Sequence, residues 1–212
     1  MPNCPLCQTL TTQAHYHDKK RSFFLCDGCG LVFADPNSVL PPPIQRQRYG
    51  RAQKHSKVQQ LEAFIDMLIA QLTDLGYQQL EGLNFGRVLS AAAQQRVADA
   101  GYHIRQFDPF FAPERQWLHQ QYDFICSYRV FEHFHTPARE WQLLNQLLKP
   151  GAWLAISTPL LRSVDAFAKW HFKNNPTHVS FYQPRTFAYL AEMAGLSLLF
   201  AEGDFVLMQK AA

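Results

Sequence analysis

The stretch from Gly82 to Asp108 constrains this chain most. Leu83 to Phe85 is a short apolar run, Gly86 follows it, and Ser90 to Ala100 is an Ala-rich helical segment that Gly101 is placed to stop. His103 to Phe107 then alternates and ends at Asp108. Strand, tight turn, helix and second strand closed by an acid make the first half of a nucleotide-binding α/β unit. In such units the turn after the first strand lies against the ligand, and an acid roughly 20 residues on takes the ribose hydroxyls. The spacing from Gly86 to Asp108 suits this. The turn is nonetheless poor in glycine: only Gly86 remains, and Arg87, Val88, Leu89 and Ser90 fill it.

Ahead of that unit stand two thiol pairs, Cys4-Pro5-Leu6-Cys7 and Cys26-Asp27-Gly28-Cys29, with 18 residues between them. Two such knuckles at this separation match a four-thiolate zinc ribbon, each aiming two sulfurs at one ion. Phe23 to Leu25 and Leu31 to Phe33 are expected as the strands leading into and out of the second knuckle. His15 and His17 lie between the pairs, but four cysteines already complete a tetrahedron, so both are read as surface residues. Two disulfides are the rival reading and do not suit a reducing compartment. A structural site is favoured over a catalytic one, which would keep an open position. A ribbon this small has almost no core of its own, so the metal is expected to supply its folding energy.

Asp35-Pro36-Asn37 and Pro41-Pro42-Pro43 read as a linker. Arg46, Arg48, Arg51, Lys54 and Lys57 follow without an intervening acid. Such a run can meet phosphate or RNA, but only Tyr49 supplies an aromatic partner, so a solvated helix start is the simpler reading. The overall charge of +3 over 212 residues makes no separate case for nucleic acid. Leu61, Phe64, Ile65, Leu68, Ile69 and Leu72 recur at helical spacing and predict a helix packed on the sheet. The expected division is a zinc ribbon over 1–36, a linker and basic stretch over 37–60, and an α/β domain over 61–212. No run approaches the roughly 18 apolar residues of a membrane span, and the start MPNCPLC lacks a signal-peptide pattern; no membrane association and a cytoplasmic location are expected.

Beyond Asp108, only 13 residues precede Tyr122. That is too few for a full crossover, so one strand of the usual sheet, or the helix before it, is expected to be missing. Tyr122 to Ser127 reads as a buried strand. Glu132 and His133 lie just past its C-terminal end, where open parallel sheets hold ligands. Cys126, unpaired within the apolar strand, reads as core. Pro137 to Leu148 is an amphipathic helix ended by Lys149-Pro150-Gly151, and Trp153 to Ser157 is the next strand. The aromatic and polar segment Phe167 to Tyr182 carries Trp170, His171, Thr177 and His178 and is placed to cover a site. Pro184 to Ala194 is the last helix; Leu196 to Ala201 and Phe205 to Gln209 form a closing hairpin around Gly203-Asp204.

Taken together, CPLC, CDGCGLVFADP, GLNFG, FDPFF, YDFICSYRVFEHFHTP, LLKPGAWLAIST and WHFKNNPTHVSFYQPRTF resemble class I S-adenosylmethionine-dependent methyltransferases. More narrowly, they resemble a small bacterial branch with an N-terminal zinc-binding segment. The resemblance covers nearly the whole chain. It implies an α/β, Rossmann-like class I methyltransferase sheet, lacking one strand or helix, with an N-terminal zinc ribbon. It implies S-adenosylmethionine as cofactor beside structural zinc, with cofactor-binding positions at Asn84, Gly86, Asp108 and Glu132. His178 and His133 are its catalytic candidates, with either as general base toward a hydroxyl acceptor, and Cys4, Cys7, Cys26 and Cys29 are the metal ligands. The chain departs from the resemblance at position 84, where Asn replaces an acid that helps hold the methionine ammonium. It departs also at 88 and 90, where Val and Ser replace Gly, and at 175, where Asn replaces Asp. These changes act against cofactor binding, and Arg87 adds a charge that repels a sulfonium. The leading expectation is methyl transfer to a small-molecule acceptor. Two alternatives stand beside it: an inactive methyltransferase-like scaffold that meets a protein partner through its ribbon, and an RNA methyltransferase.

Overall fold

Two sheets organise the chain. The computed structural model describes residues 1–51 and 55–212, and the side chains of all of these except 51 and 55–57. Strands β1 (Thr12–His17), β2 (Ser22–Cys26) and β3 (Val32–Ala34) form an antiparallel ribbon above the thiol pairs. The segment expected to be a linker is largely helical: α1 spans Pro42–Arg51 and α2 spans His55–Asp74. The prolines at 41–43 start α1 rather than opening the chain, in keeping with the tolerance of a first helical turn for residues lacking N–H.

The central unit follows as β4 (Glu81–Phe85), α3 (Ala91–Asp99) and β5 (His103–Phe107). Ser90 caps α3, its hydroxyl accepting from Ala93 N–H. Then come β6 (Tyr122–Tyr128), α4 (Pro137–Leu147) and β7 (Leu148–Ser157). Strand β7 begins earlier than the Lys149-Pro150-Gly151 stop suggests, because an irregularity in its register against β6 absorbs the turn. The chain closes with β8 (Ser180–Phe181), α5 (Pro184–Ala194), β9 (Leu196–Glu202) and β10 (Phe205–Lys210). Gly195 ends α5 in the left-handed conformation, φ 67°.

The larger sheet has the order β5-β4-β6-β7-β10-β9. Its first four strands are parallel and the last two antiparallel. No strand stands outside β5 among the described residues; the short 3-10 turn Arg115–His119 fills the connection to β6 instead. The sheet is therefore one strand short on that side, as the 13-residue spacing predicts. On one face, Leu61, Ile65 and Leu68 of α2 and Val97 of α3 bury against Phe124, Cys126 and Ala155. Each such side chain contributes about 1.5–3 kcal/mol relative to exposure. On the other face, Trp141 and Leu144 of α4 and Phe187 of α5 bury against Ile125, Leu154 and Ile156.

That second core runs on into the ribbon. Leu31 and Phe33 belong to the same buried cluster as Phe131, Tyr182 and Phe187. Strand β8, from the far half of the chain, adds to the ribbon sheet by pairing with β3, Val32 against Phe181 and Phe33 against Ser180. The expectation of a ribbon almost without a core is therefore corrected: it borrows one. In the described residues no helix is long and apolar enough to cross a membrane.

Candidate active site and metal centre

The C-terminal ends of β4, β5 and β6 converge on two cavities. One, of about 780 Å³, is lined by Gly86, Asp108, Phe110, Val130, Phe134 and His135 among others. The second, of about 550 Å³, is lined by Arg48, Arg87, Arg129, Glu132, Thr177 and His178 among others. Tyr49 of α1 and His133 border both.

Asp108 is buried, 5% exposed, at the wall of the larger cavity. Its Oδ1 accepts from Phe110 N–H at 2.8 Å and Phe111 N–H at 2.9 Å, while Oδ2 has no protein partner among the described residues. Burial pushes its carboxyl above the ordinary aspartate range, against the pull of those two N–H groups and of Arg87. A carboxylate held at one oxygen and open at the other suits a diol.

Gly86 adopts φ 125°, a conformation a side chain rarely takes. A methyl group built there would meet Val130 Cγ2 at 2.2 Å, so the turn is overlaid by Val130 as well as by the cavity. Asn84 lies apart from both cavity linings. Its buried amide donates from Nδ2 to the Arg87 carbonyl at 2.6 Å and braces the turn from beneath. Leu89 is buried in the core beneath α3, and neither it nor Val88 lines a cavity.

Glu132, His133 and His178 come together, their potential ligand atoms all within 4.8 Å of one another. Glu132 is buried, and its Oε2 accepts from the Thr158 hydroxyl at 2.9 Å. Burial raises its carboxyl above the usual range. His178 has both nitrogens committed. Its Nδ1–H donates to the Phe172 carbonyl at 2.8 Å, so Nε2 carries the lone pair that accepts from Asn175 Nδ2 at 2.9 Å. Asn175 cannot turn its amide over, because its Oδ1 takes both the Thr177 N–H and the Thr177 hydroxyl. That set of hydrogen bonds favours a hydrogen-bonded wall over a metal site. His133 differs. Its Nδ1–H donates to the Thr177 carbonyl at 2.9 Å, and Nε2 keeps its lone pair without a protein partner among the described residues. Burial, with His178 and Arg87 adding to it, holds the His133 imidazole well below its ordinary value, and so neutral.

Tyr49 and Arg87 are among the residues at this site that the catalytic and cofactor assignments from sequence leave out. The ring of Tyr49 lies 4.5 Å from that of His133, centroid to centroid, and the Arg87 guanidinium sits 5.7 Å from the Tyr49 ring. Tyr49 was visible in sequence only as the lone aromatic in a basic run. Of that run, Arg48 lines the smaller cavity and Arg46 faces Phe111, whereas the side chains of Arg51 and Lys57, and Lys54 entirely, lie outside the described residues.

At the other end of the chain, Cys4, Cys7, Cys26 and Cys29 bring their sulfurs within 4.8 Å of one another. The Sγ atoms of Cys4 and Cys29 are 3.6 Å apart, and those of Cys7 and Cys26 are 3.4 Å apart. A tetrahedral ion with metal–sulfur bonds of about 2.3 Å sets its ligands about 3.8 Å apart. The thiol set is thus compatible with zinc in number, chemistry and spacing.

An open parallel sheet, a degenerate turn after its first strand, an acid at the end of the second, and cavities at their shared edge define a class I methyltransferase fold. A family described as a methyltransferase domain matches residues 28–199, and the chain belongs to it. No curated protein sequence matches. Solved structures share the fold at low identity. The 1,6-didemethyltoxoflavin-N1-methyltransferase of Burkholderia thailandensis, solved with 1,6-didemethyltoxoflavin and S-adenosylhomocysteine, aligns over 94% of this chain and 100% of its own, with TM-score 0.56 and 14% identity. An O-methyltransferase family protein from Burkholderia thailandensis aligns over 79% of this chain and 60% of its own, with TM-score 0.52 and 16% identity. The magnesium protoporphyrin IX methyltransferase of Synechocystis PCC 6803, solved with S-adenosylhomocysteine, aligns over 80% and 94%, with TM-score 0.50 and 12% identity.

Proposed function

We propose that the chain transfers a methyl group from S-adenosylmethionine to a small-molecule acceptor. The observation that carries this reading is Asp108, buried at the cavity wall with Oδ1 anchored and Oδ2 free to accept from a ribose. When bound, S-adenosylmethionine supplies an electrophilic methyl on its sulfonium. Gly86, Asp108 and the surrounding aromatic wall would hold its adenosyl end in the larger cavity. The smaller cavity, about 550 Å³ and bordered by the 167–182 segment, is of a size for a small acceptor. Its wall would orient the acceptor and keep water away, which lowers the barrier to such a transfer. For a hydroxyl acceptor, His133 Nε2 is the atom that would take the proton. His178, with both nitrogens engaged, would position His133, its ring lying 4.7 Å away and edge-on. The Burkholderia thailandensis protein solved with 1,6-didemethyltoxoflavin supports a small-molecule substrate by analogy of fold. The four thiolates would hold one structural zinc.

A second reading, a methyltransferase-like scaffold without activity, draws on the Val130 side chain packed over Gly86 and on Arg87 inside the smaller cavity. Calorimetric titration separates the two. S-adenosylhomocysteine is expected to bind, and Asp108→Asn to weaken it at least tenfold, because an amide keeps the Oδ1 contacts but loses the charge. Absence of heat with both S-adenosylmethionine and S-adenosylhomocysteine at millimolar concentration would overturn the enzyme reading in favour of the scaffold.

A further inference from the structure

The turn after β4 places consecutive residues in different cavities: Gly86 lines the larger and Arg87 the smaller. A ligand long enough to extend from Gly86 into the smaller cavity would meet the Arg87 guanidinium there. We propose that Arg87 receives the carboxylate at the amino-acid end of the cofactor, an inference that rests on the methyltransferase reading above.

Four observations support it. First, Arg87 Nε is buried and has no hydrogen-bond partner among the described residues. A charged donor without an acceptor is costly in a buried setting, and because Nε itself is closed to solvent a ligand in the cavity would pair with the terminal N–H groups of the guanidinium. Second, Arg87 makes no ion pair among the described residues, whereas the neighbouring Arg129 is already held by Asp204 at 2.5 Å. Third, the smaller cavity is cationic. Arg48 and Arg87 line it beside the already paired Arg129, and Glu132 is the one acid among its lining residues, with Oε2 already taken by Thr158. Fourth, the Arg87 backbone is held in place by Asn84, whose Nδ2 donates to the Arg87 carbonyl at 2.6 Å. An ionised Asp at 84 could not make that bond; it would set a carboxylate against a carbonyl oxygen. Asparagine at 84 and arginine at 87 thus form one device. The residue that might have attracted an ammonium fixes the turn instead, and the turn presents a cation to the opposite end of the same zwitterion. The planar fork of a guanidinium matches a carboxylate through two parallel N–H donors. The same chemistry could come from a carboxylate on the acceptor, so the test must tell the two sources apart.

The probes are S-adenosylhomocysteine and its decarboxylated analogue, which differs only in lacking the carboxylate, titrated calorimetrically into the full chain. The unaltered protein is expected to bind S-adenosylhomocysteine about 10- to 100-fold more tightly than the analogue. Arg87→Ala is expected to bring S-adenosylhomocysteine down to the analogue's affinity and to leave the analogue itself within about twofold. Arg87→Gln, which keeps the length of the side chain and its packing, should behave in the same way, and thermal melting of both variants reports that they fold. Equal affinity of the two ligands for the unaltered protein would overturn the proposal. An equal loss of both ligands in the two variants would make Arg87 a structural residue and overturn it too. Binding of neither ligand to the unaltered protein would overturn the methyltransferase reading itself.

Discussion

The aromatic ring of Tyr49 lies 4.5 Å from the imidazole of His133, and both residues line each of the two cavities. Tyr49 comes from α1, ahead of the α/β core, so the helix before the domain closes the domain's own cleft. Removing the ring in Tyr49→Ala should widen the junction of the cavities and let water reach His133. Tyr49→Phe keeps the ring. We expect S-adenosylhomocysteine affinity to fall about fivefold to thirtyfold in the alanine variant and to hold within about twofold in the phenylalanine variant. Calorimetry on the three proteins checks this, and equal affinities in all three would remove Tyr49 from the site.

Gly86 is constrained twice. Its φ of 125° disfavours any side chain, and Val130 Cγ2 occupies the place of a β-carbon. Gly86→Ala should therefore lose about 2–4 kcal/mol of stability. The double variant Gly86→Ala with Val130→Ala should recover part of that loss, since it relieves the collision and leaves the backbone strain. Chemical denaturation of single and double variants measures the split; no recovery at all would mean that the strain is entirely in the backbone.

Chelation should destabilise more than the ribbon. The core under the ribbon is shared with α5, the Gln183 side chain donates to the Gly30 carbonyl, and the Arg185 side chain donates to the Cys26 carbonyl at 3.2 Å. One equivalent of zinc is expected by metal analysis of the purified chain. Cys26→Ser should lose most of it and melt several degrees lower. A Cys26→Ser protein with full metal content would exclude the four-thiolate centre.

His133 gives the stability a pH dependence of known sign. Its folded-state value lies well below the ordinary 6.5, so the unfolded chain takes up the proton first as pH falls. The contribution is intact above the ordinary imidazole range and is lost on acidification below it, at up to about 1.4 kcal/mol per pH unit. His135, also held low by burial, acts in the same direction. Denaturant midpoints at pH 7.5 and 5.5 should differ less in His133→Gln than in the unaltered protein; an unchanged difference would assign the acid sensitivity elsewhere.

The sheet was legible because its signals are local. Apolar runs at Leu83 to Phe85 and Tyr122 to Ser127, the helix spacing from Leu61 to Leu72 and the stop at Gly195 each depend on a few neighbouring residues, and the corresponding elements are present. The short Asp108-to-Tyr122 interval likewise announced that a strand, or the helix before it, is missing, and the sheet ends at β5. The path of α1 was not legible. Prolines at 41–43 read as a break, while the fold uses them to start a helix whose Tyr49 reaches residues some 80 positions away. Nothing in the local pattern of Ser180-Phe181 predicts pairing with Val32-Phe33, since a two-residue strand carries almost no periodicity and its partner is remote. At the site, Asp108, Gly86, Glu132 and His133 line one or other cavity beside the strand ends where the sequence puts them, and His178 lines the smaller one from the 167–182 segment. Asn84 does not, because its amide is spent beneath the turn.

The pairing of β3 with β8 sets the thiol knuckles and the His178 segment mechanically in series. Val179 N–H reaches the Glu132 carbonyl, and Ala34 N–H reaches the Val179 carbonyl, so a continuous ladder of backbone contacts runs from the ribbon to the roof of the cleft. An oxidant or a metal thief that attacks the sulfurs would loosen that roof without touching it. The N-terminal ribbon works as a keystone, and a chain lacking residues 1–36 would lose one side of its cleft as well as its four clustered thiols.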